Sequence, residues 1–456
     1  MEKTKVCFYK LVNILSKQVM KSVTGGSAIC FILLSLCFLS GCSRGISEKT
    51  DEIAVIDVIN NLGNYQETFL SEFVSEIEYI PLETKDDCLM GGVRDIILTP
   101  SHIFVHGYTG GSGGDFIVPG TTRCYAFRRD GSFVCEIGRI GQGPGEYQNI
   151  SGLSIDEKNQ LLYIETYRTL LEYAWSGEFR RSINKPQNSQ EIPVGQVVHF
   201  QDNLFVGHCP NHRGQETHTF LLFNDSGRVI KTFENHVKFD RQGDGSSFEA
   251  ASMRPIKVAD SYYVKEIPND TLYCLNKQNE LIPQFVFDLG KYTFSKEKRG
   301  RKIDAQYVNT MSEVLIVPSG LLPMVGTPAY IFFSLFSFST DIPGLKGQNE
   351  GTQSILLGIY DIALKKTRFL ANNPETRKVG LMNDMDNSLS FWPKYYSSEN
   401  ELVDVWQAYE MKDNLAEQHT IGYTIKHPQA QQKHKEIVNN LKDDDNPVVV
   451  IAKLKK

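Results

Sequence analysis

Gly138-Arg139-Ile140-Gly141-Gln142-Gly143-Pro144-Gly145-Glu146-Tyr147 decides how this chain is read. Four glycines and a proline within ten residues make neither a helix nor a ladder strand. Before the run, residues 123–137 hold two β-rich segments around a turn at Asp130-Gly131. After it, residues 150–164 hold two more around a polar turn. The run is therefore a shaped connection from one four-stranded unit to the next.

Working outward, the same unit recurs. Strands are expected at 93–98, 102–105, 123–127 and 133–137; at 153–155, 161–164, 170–175 and 179–183; at 196–200, 204–207, 219–223 and 229–233; and at 255–258, 262–266, 271–275 and 282–287. A looser fifth unit reads 313–317, 330–338, 354–362 and 367–370, and a sixth begins at 388–392 and 401–406. The turn before each fourth strand repeats: Asp130-Gly131, Ser176-Gly177, Ser226-Gly227 and Asn279-Glu280. Glycine there supplies the positive φ of a two-residue hairpin turn. Repetition at about fifty residues is the signature of a β-propeller, all-β with four-stranded antiparallel blades. Six blades are expected and seven is the alternative.

Residues 404–415 and 430–442 read as helices, and 448–454 (VVVIAKL) as a closing strand. An open propeller exposes a sheet edge. The last strand is therefore expected to pair in the blade that takes residues 53–58 or 73–82.

With 456 residues, 41% hydrophobic, the chain is long enough for a substantial core. A net charge of -6 excludes nucleic acid as a partner, which needs a basic footprint. Lysines 3, 5, 10, 17 and 21 precede an apolar run at 28–39, too short to span a bilayer, that ends in Leu39-Ser40-Gly41-Cys42. This segment resembles the signal and lipobox of bacterial lipoproteins. The resemblance implies cleavage before Cys42, a lipid on that residue as the membrane contact, and a cell-envelope location at the outer membrane. The expected organisation is a signal at 1–41, a tether at 42–52 and one propeller at 53–456. Met20 alone would also open a signal of ordinary length. The five cysteines after Cys42 show neither a disulfide framework nor zinc spacing.

Ile80-Pro81-Leu82-Glu83-Thr84, the Gly138–Tyr147 run and Asp445-Asn446-Pro447 ahead of an apolar strand resemble the six-bladed, NHL-like propeller lipoproteins of anaerobic gut Gram-negative bacteria. The resemblance implies the fold and no particular activity. Residues 150–165 match that family's blade, with Asp156 in place and Glu165 where a second aspartate stands.

Propellers take ligands at the axial mouth. Candidates are His102, His106, Tyr108, Glu165, Tyr167, Arg168, Arg254 and Trp392, with the Tyr167–Arg168 pair suited to a sugar ring or a carboxylate. His199, His208, Cys209, His212 and His218 form the densest polar group but match no metal spacing. Asn383-Asp384-Met385-Asp386-Asn387 resembles the start of a calcium loop but lacks its glycine and distal glutamate. No metal site and no cofactor are expected, calcium being the one ion the chain hints at. Gly110–Gly114 lacks the Lys-Ser/Thr of a phosphate loop. The expected function is a lipid-anchored binding or scaffold module for a glycan, peptide or partner protein. The alternative is a propeller hydrolase or lyase acting on carbohydrate or lactone, which rests on fold analogy alone.

Overall fold

In the computed structural model, six four-stranded antiparallel blades close into a six-bladed β-propeller. The structure describes residues 53–109, 121–242, 252–259, 261–301, 313–317, 324–337, 342–343, 354–371, 380–416 and 424–455. Gly110–Gly114 lies outside them.

Blade 1 comprises Gly92–Leu98, His102–Tyr108, Thr122–Arg128 and Phe133–Glu136. Blade 2 comprises Gly152–Asp156, Leu161–Glu165, Thr169–Ala174 and Phe179–Asn184, and blade 3 Gly195–Gln201, Leu204–His208, His218–Asn224 and Val229–Glu234. Blade 4 comprises Ile256–Val258, Ser261–Val264, Thr271–Leu275 and Leu281–Asp288. In blade 5, the first strand is Val325–Gly326, followed by Tyr330–Ser337, Ser354–Asp361 and Lys366–Leu370. Residues 313–317 are not that strand; Ile316 makes a single antiparallel bridge to Phe336, farther along the same edge of the second strand. Blade 6 starts at Tyr395–Tyr396, not at 388–392, and continues with Glu401–Trp406. Both misplaced strands are short because their first-position pairing is only two residues long.

The chain closes the ring from both ends. Val448–Leu454 is the third strand of blade 6, and Val74–Pro81 pairs with it as the fourth. Ala54–Asp57 goes elsewhere, lying parallel to Leu281–Asp288 as a fifth strand on blade 4. Tyr65–Gln66 adds in the same way to blade 5. The N-terminal segment thus straps the outer edges of three successive blades, covering edges that would otherwise template pairing with another chain. Helices α1 (Ala408–Ala416) and α2 (Pro428–Asn440) fill the second-to-third connection of blade 6 and pack on Tyr79, Trp406 and Leu70.

The recurring turn is one structure used four times. Gly131, Gly177, Gly227 and Asn279 all have positive φ, between 61° and 88°. In each, that residue's N–H donates to the carbonyl three residues back, of Arg128, Ala174, Asn224 and Asn276 respectively, and the N–H of each of those donates to the carbonyl four residues on. This is a three-residue loop with a left-handed last residue, rather than the two-residue turn expected. The register slips by one next to the turn in blades 1 to 3, and farther in, between Leu272 and Tyr273, in blade 4; such slips are β-bulges. Gly131 is the most constrained: a Cβ there would overlap the Pro81 carbonyl oxygen. Gly131→Ala is expected to cost at least about 2 kcal/mol from left-handed strain plus that overlap. Urea unfolding checks this, and a loss below half of that would refute it.

The Gly138–Tyr147 run folds as expected of a shaped connection. Glu146 receives the Gly143 N–H at 2.8 Å and the Arg139 Nε–H at 2.6 Å. Tyr173 donates to the Gly145 carbonyl at 2.5 Å, and Tyr147 accepts from the Cys124 N–H at 3.2 Å. These bonds fasten the linker to both blades it joins.

Candidate functional site

Antiparallel order puts two kinds of connection at the same end of the ring: the hand-over from one blade to the next, and the second-to-third loop. We call this the hand-over end. The short first-to-second and third-to-fourth turns lie at the other, the turn end.

Near the hand-over end, one ion pair spans the axis. Asp95 lies in the first strand of blade 1, and Arg254 lies just before the first strand of blade 4. These blades are opposite in a ring of six, yet Arg254 Nη1 approaches Asp95 Oδ2 to 2.8 Å. Arg254 reaches that far because Gly152, in blade 2, has no side chain; a Cβ there would overlap the guanidinium. Arg254 Nη2 is buried with no hydrogen-bond partner.

Asp95 faces His106 across the strand pair. The register slips between Val93 and Asp95, so Arg94 is the extra residue of a bulge, and it is exposed. His106 is 3% exposed and its Nε2 has no partner. Burial, then Arg254 and Arg94, push its pKa down to about 3, so the imidazole is neutral at ordinary pH. Tyr108 closes over Gly92 at the same end, and Tyr409 of α1, half exposed, is close enough for Tyr108 to contribute to its raised pKa. Toward the turn end stand Tyr262 and Tyr395, both with hydroxyls raised chiefly by burial and both within electrostatic reach of Arg254. At the turn end itself, Ser398 of blade 6 donates to Glu157 of blade 2 at 2.7 Å, joining turns on either side of blade 1.

The His106 environment sets a pH dependence. The unfolded chain takes up a proton near pH 6.5 and the folded ring only near pH 3. Between those values the unfolded state binds more protons, so stability falls as pH falls through this window. From pH 7.5 to 5 this one group should cost about 2 kcal/mol. Unfolding at both values, compared with His106→Gln, isolates it; an unchanged pH slope in the variant would refute it.

The chain belongs to the family described as a domain of unknown function, DUF4934. The match runs over residues 53–453, the whole ring. An exported protein from Bacteroides fragilis has a similar solved structure, with a TM-score of 0.62 at 15% identity, covering 89% of this chain and all of that one. A DUF4221 member from Bacteroides vulgatus is more distant, with a TM-score of 0.44 at 9% identity, covering 84% of this chain and 97% of that one. No curated protein matches the sequence. At these identities the likeness speaks for the fold alone.

In this DUF4934 propeller the residues proposed from sequence divide sharply. His106, Tyr108 and Arg254 come together at the hand-over end. Tyr167 and Arg168 lie on the second-to-third loop of blade 2, also at that end, with the guanidinium 5.7 Å from the ring centroid and Tyr167 exposed. Glu165 is buried and bonded to Lys185 at 2.8 Å and to the Val197 N–H at 3.0 Å, so its carboxylate is spent between blades 2 and 3. Trp392 is buried with its ring edge on Phe332, in the core between blades 5 and 6. His102 is at the turn end, stacked on Phe104 and set edge-on to Trp175.

The histidine group is split, with His208, Cys209, His212 and His218 on the second-to-third connection of blade 3 and His199 at the opposite end. His199 stacks on Tyr163 and bonds the Asp202 carbonyl at the turn end, while His208 lies 3.6 Å from Glu266 at the hand-over end. In the calcium-like run, Asp384 takes the Ser71 N–H and hydroxyl, and Asp386 takes Tyr79 and Ser388. Those carboxylates fasten the N-terminal strap. Among the described residues, no three of His, Cys, Asp and Glu are grouped to hold a metal ion, and the five described cysteines are free.

Sequence reasoning missed Arg94, Asp95, Gly152, Tyr262 and Tyr395. The signal for the first two was present: a charged pair interrupts an otherwise apolar first strand. Nothing in the sequence relates Gly152 to Arg254, a hundred residues on.

Proposed function

We propose that this protein is a lipid-anchored binding module of the cell envelope that takes its ligand at the hand-over end of the propeller axis. The observation that carries the reading is the cross-axis pair of Asp95 and Arg254, which leaves buried polar groups on Arg254 and His106 without partners. Buried polar groups are ordinarily satisfied, and each exception calls for an explanation, a bound water, ion or ligand among them. The two tyrosines near the arginine are poorly suited to act as nucleophiles. Burial raises both hydroxyls, the wrong direction for a nucleophile.

The anchor follows from the Cys42 motif and agrees with the exported description of the Bacteroides fragilis protein. Among the described residues no helix is long and apolar enough to cross a membrane. The first described strand, Ala54–Asp57, lies on the outer edge of blade 4.

Two measurements test the reading. Fatty-acid labelling should mark the wild type and not Cys42→Ala; labelling of neither would remove the anchor. Hydrogen exchange on the detergent-extracted full chain, with a panel of glycans and peptides, should show protection around Gly92, Tyr108, Gly152 and Arg254 without turnover. Turnover of a glycan or lactone would replace binding with hydrolysis.

A further inference from the structure

We propose that the axial site binds an acidic sugar chain, holding a uronic-acid carboxylate between Arg254, Arg94 and the Nε2 of His106. This rests on the axial-binding reading above and adds the ligand's chemical class. Three observations carry it.

First, the charge at the site is unbalanced. Arg254 pairs with the one carboxylate, Asp95, while the exposed Arg94 is a second guanidinium within electrostatic reach of the neutral His106 imidazole. The Asp95 carboxylate repels an anion; its Oδ2 lies 2.8 Å from Arg254 Nη1 as an ion pair without an aligned hydrogen bond, and its role is to hold that guanidinium across the axis. Second, the donors are prearranged. Arg254 Nη2 is buried and unpartnered, and so is His106 Nε2 on a side chain 97% buried. A guanidinium edge with a free N–H, held rigid at its other end, matches a carboxylate. His106 in its Nε2–H tautomer adds a donor without adding charge. The other acids within reach of Tyr262, Asp156 and Glu157, lie at the turn end, Asp156 bonded to Asn159 and Glu157 to Ser398. Third, the mouth is aromatic. Tyr108 and the exposed rings of Tyr409 and Tyr167 stand at the same end, and flat apolar rings with polar tips suit pyranose faces better than an extended peptide.

The experiment uses the detergent-extracted full chain and isothermal titration with three probes: an oligogalacturonide, a neutral galactan oligomer of the same length, and a peptide with a free C-terminal carboxylate. The oligogalacturonide should bind, weakening at least threefold between 50 and 300 mM salt. Arg94→Gln, an exposed change that leaves the fold alone, should weaken it three- to tenfold. Arg254→Lys keeps the charge facing Asp95 but loses the second guanidinium edge, and should weaken it tenfold or more with an unchanged melting temperature. Equal binding of the neutral oligomer, indifferent to both variants, would overturn the acidic-sugar assignment and leave axial binding standing. Preference for the peptide would overturn the sugar. No binding by any probe, with no axial protection in hydrogen exchange, would overturn both readings.

Discussion

Asn446→Ala should be among the most damaging single changes in this protein, although the residue touches no ligand. Its side chain is fully buried. Nδ2 donates to the carbonyls of Glu83 at 2.8 Å and Cys88 at 3.0 Å, and Oδ1 accepts the Met90 N–H at 3.0 Å. Its own N–H donates to Thr84 Oγ1 at 2.9 Å. Truncation would orphan the buried Cys88 carbonyl and Met90 N–H and leave the part-buried Glu83 carbonyl only the Cys88 thiol. At about 1–3 kcal/mol each, partly relaxed, the loss is roughly 3–5 kcal/mol. The site is also where the ring is sealed. The next residues enter the third strand of blade 6, and the backbone bonded by Asn446 follows directly from the fourth. Opening should therefore start there. Denaturant unfolding gives the free energy, and hydrogen exchange should show Val74–Pro81 losing protection before the other outer strands. Asn446→Asp keeps the acceptor for Met90 and loses both donations, so it should be nearly as damaging. A cost under about 1 kcal/mol for Asn446→Ala would show that the seal does not depend on this side chain.

This seal explains why the fold was so legible in the sequence. Ile80–Thr84, Asp130-Gly131 and Asp445–Pro447 stood out as separate punctuation, and the structure brings them to one place. Asn446 bonds Glu83, the Glu83 N–H donates to the Gly131 carbonyl, and Glu83 Oε2 accepts the Phe133 N–H at 2.8 Å. Local rules set each piece: a left-handed residue is most readily glycine or asparagine, and a seal needs donors and acceptors at fixed places. The four repeated turns were readable for the same reason. Blades 5 and 6 were less so, since their first strands are two residues long and carry little periodicity.

The axial site was half legible. His106, Tyr108 and Arg254 could be nominated as polar residues near strand ends. Their meeting depends on ring closure, which sets blade 1 opposite blade 4. Glu165 and Trp392 showed the reverse failure. Both look like mouth residues by position, but nothing in the chain says which way a side chain at a strand end turns. Lys185 decided the matter for Glu165, and Phe332 for Trp392.

Glu165 therefore carries the second large effect. Both members of its pair with Lys185 are 3% exposed at the side chain, and the contact is 2.8 Å. Removing one partner strands a buried charge, which typically costs about 3–5 kcal/mol, whereas an apolar pair of similar volume is often tolerated. Glu165→Gln and Lys185→Met should each fall in that range. Glu165→Leu with Lys185→Met should recover most of the loss, leaving the cost of an unpaired Val197 N–H, about 1–2 kcal/mol. The cycle also decides what Glu165 is for. A carboxylate serving the ligand would lose binding in Glu165→Gln with little change in stability, and the double variant would restore nothing. A carboxylate serving the ring would lose stability in the singles and regain it in the double, with axial binding following stability throughout. The Val197 bond favours the second outcome, since it ties this side chain to the first strand of blade 3. The pair then acts as a rivet between neighbouring blades, and the charge available to a ligand lies on the axis, at Arg254.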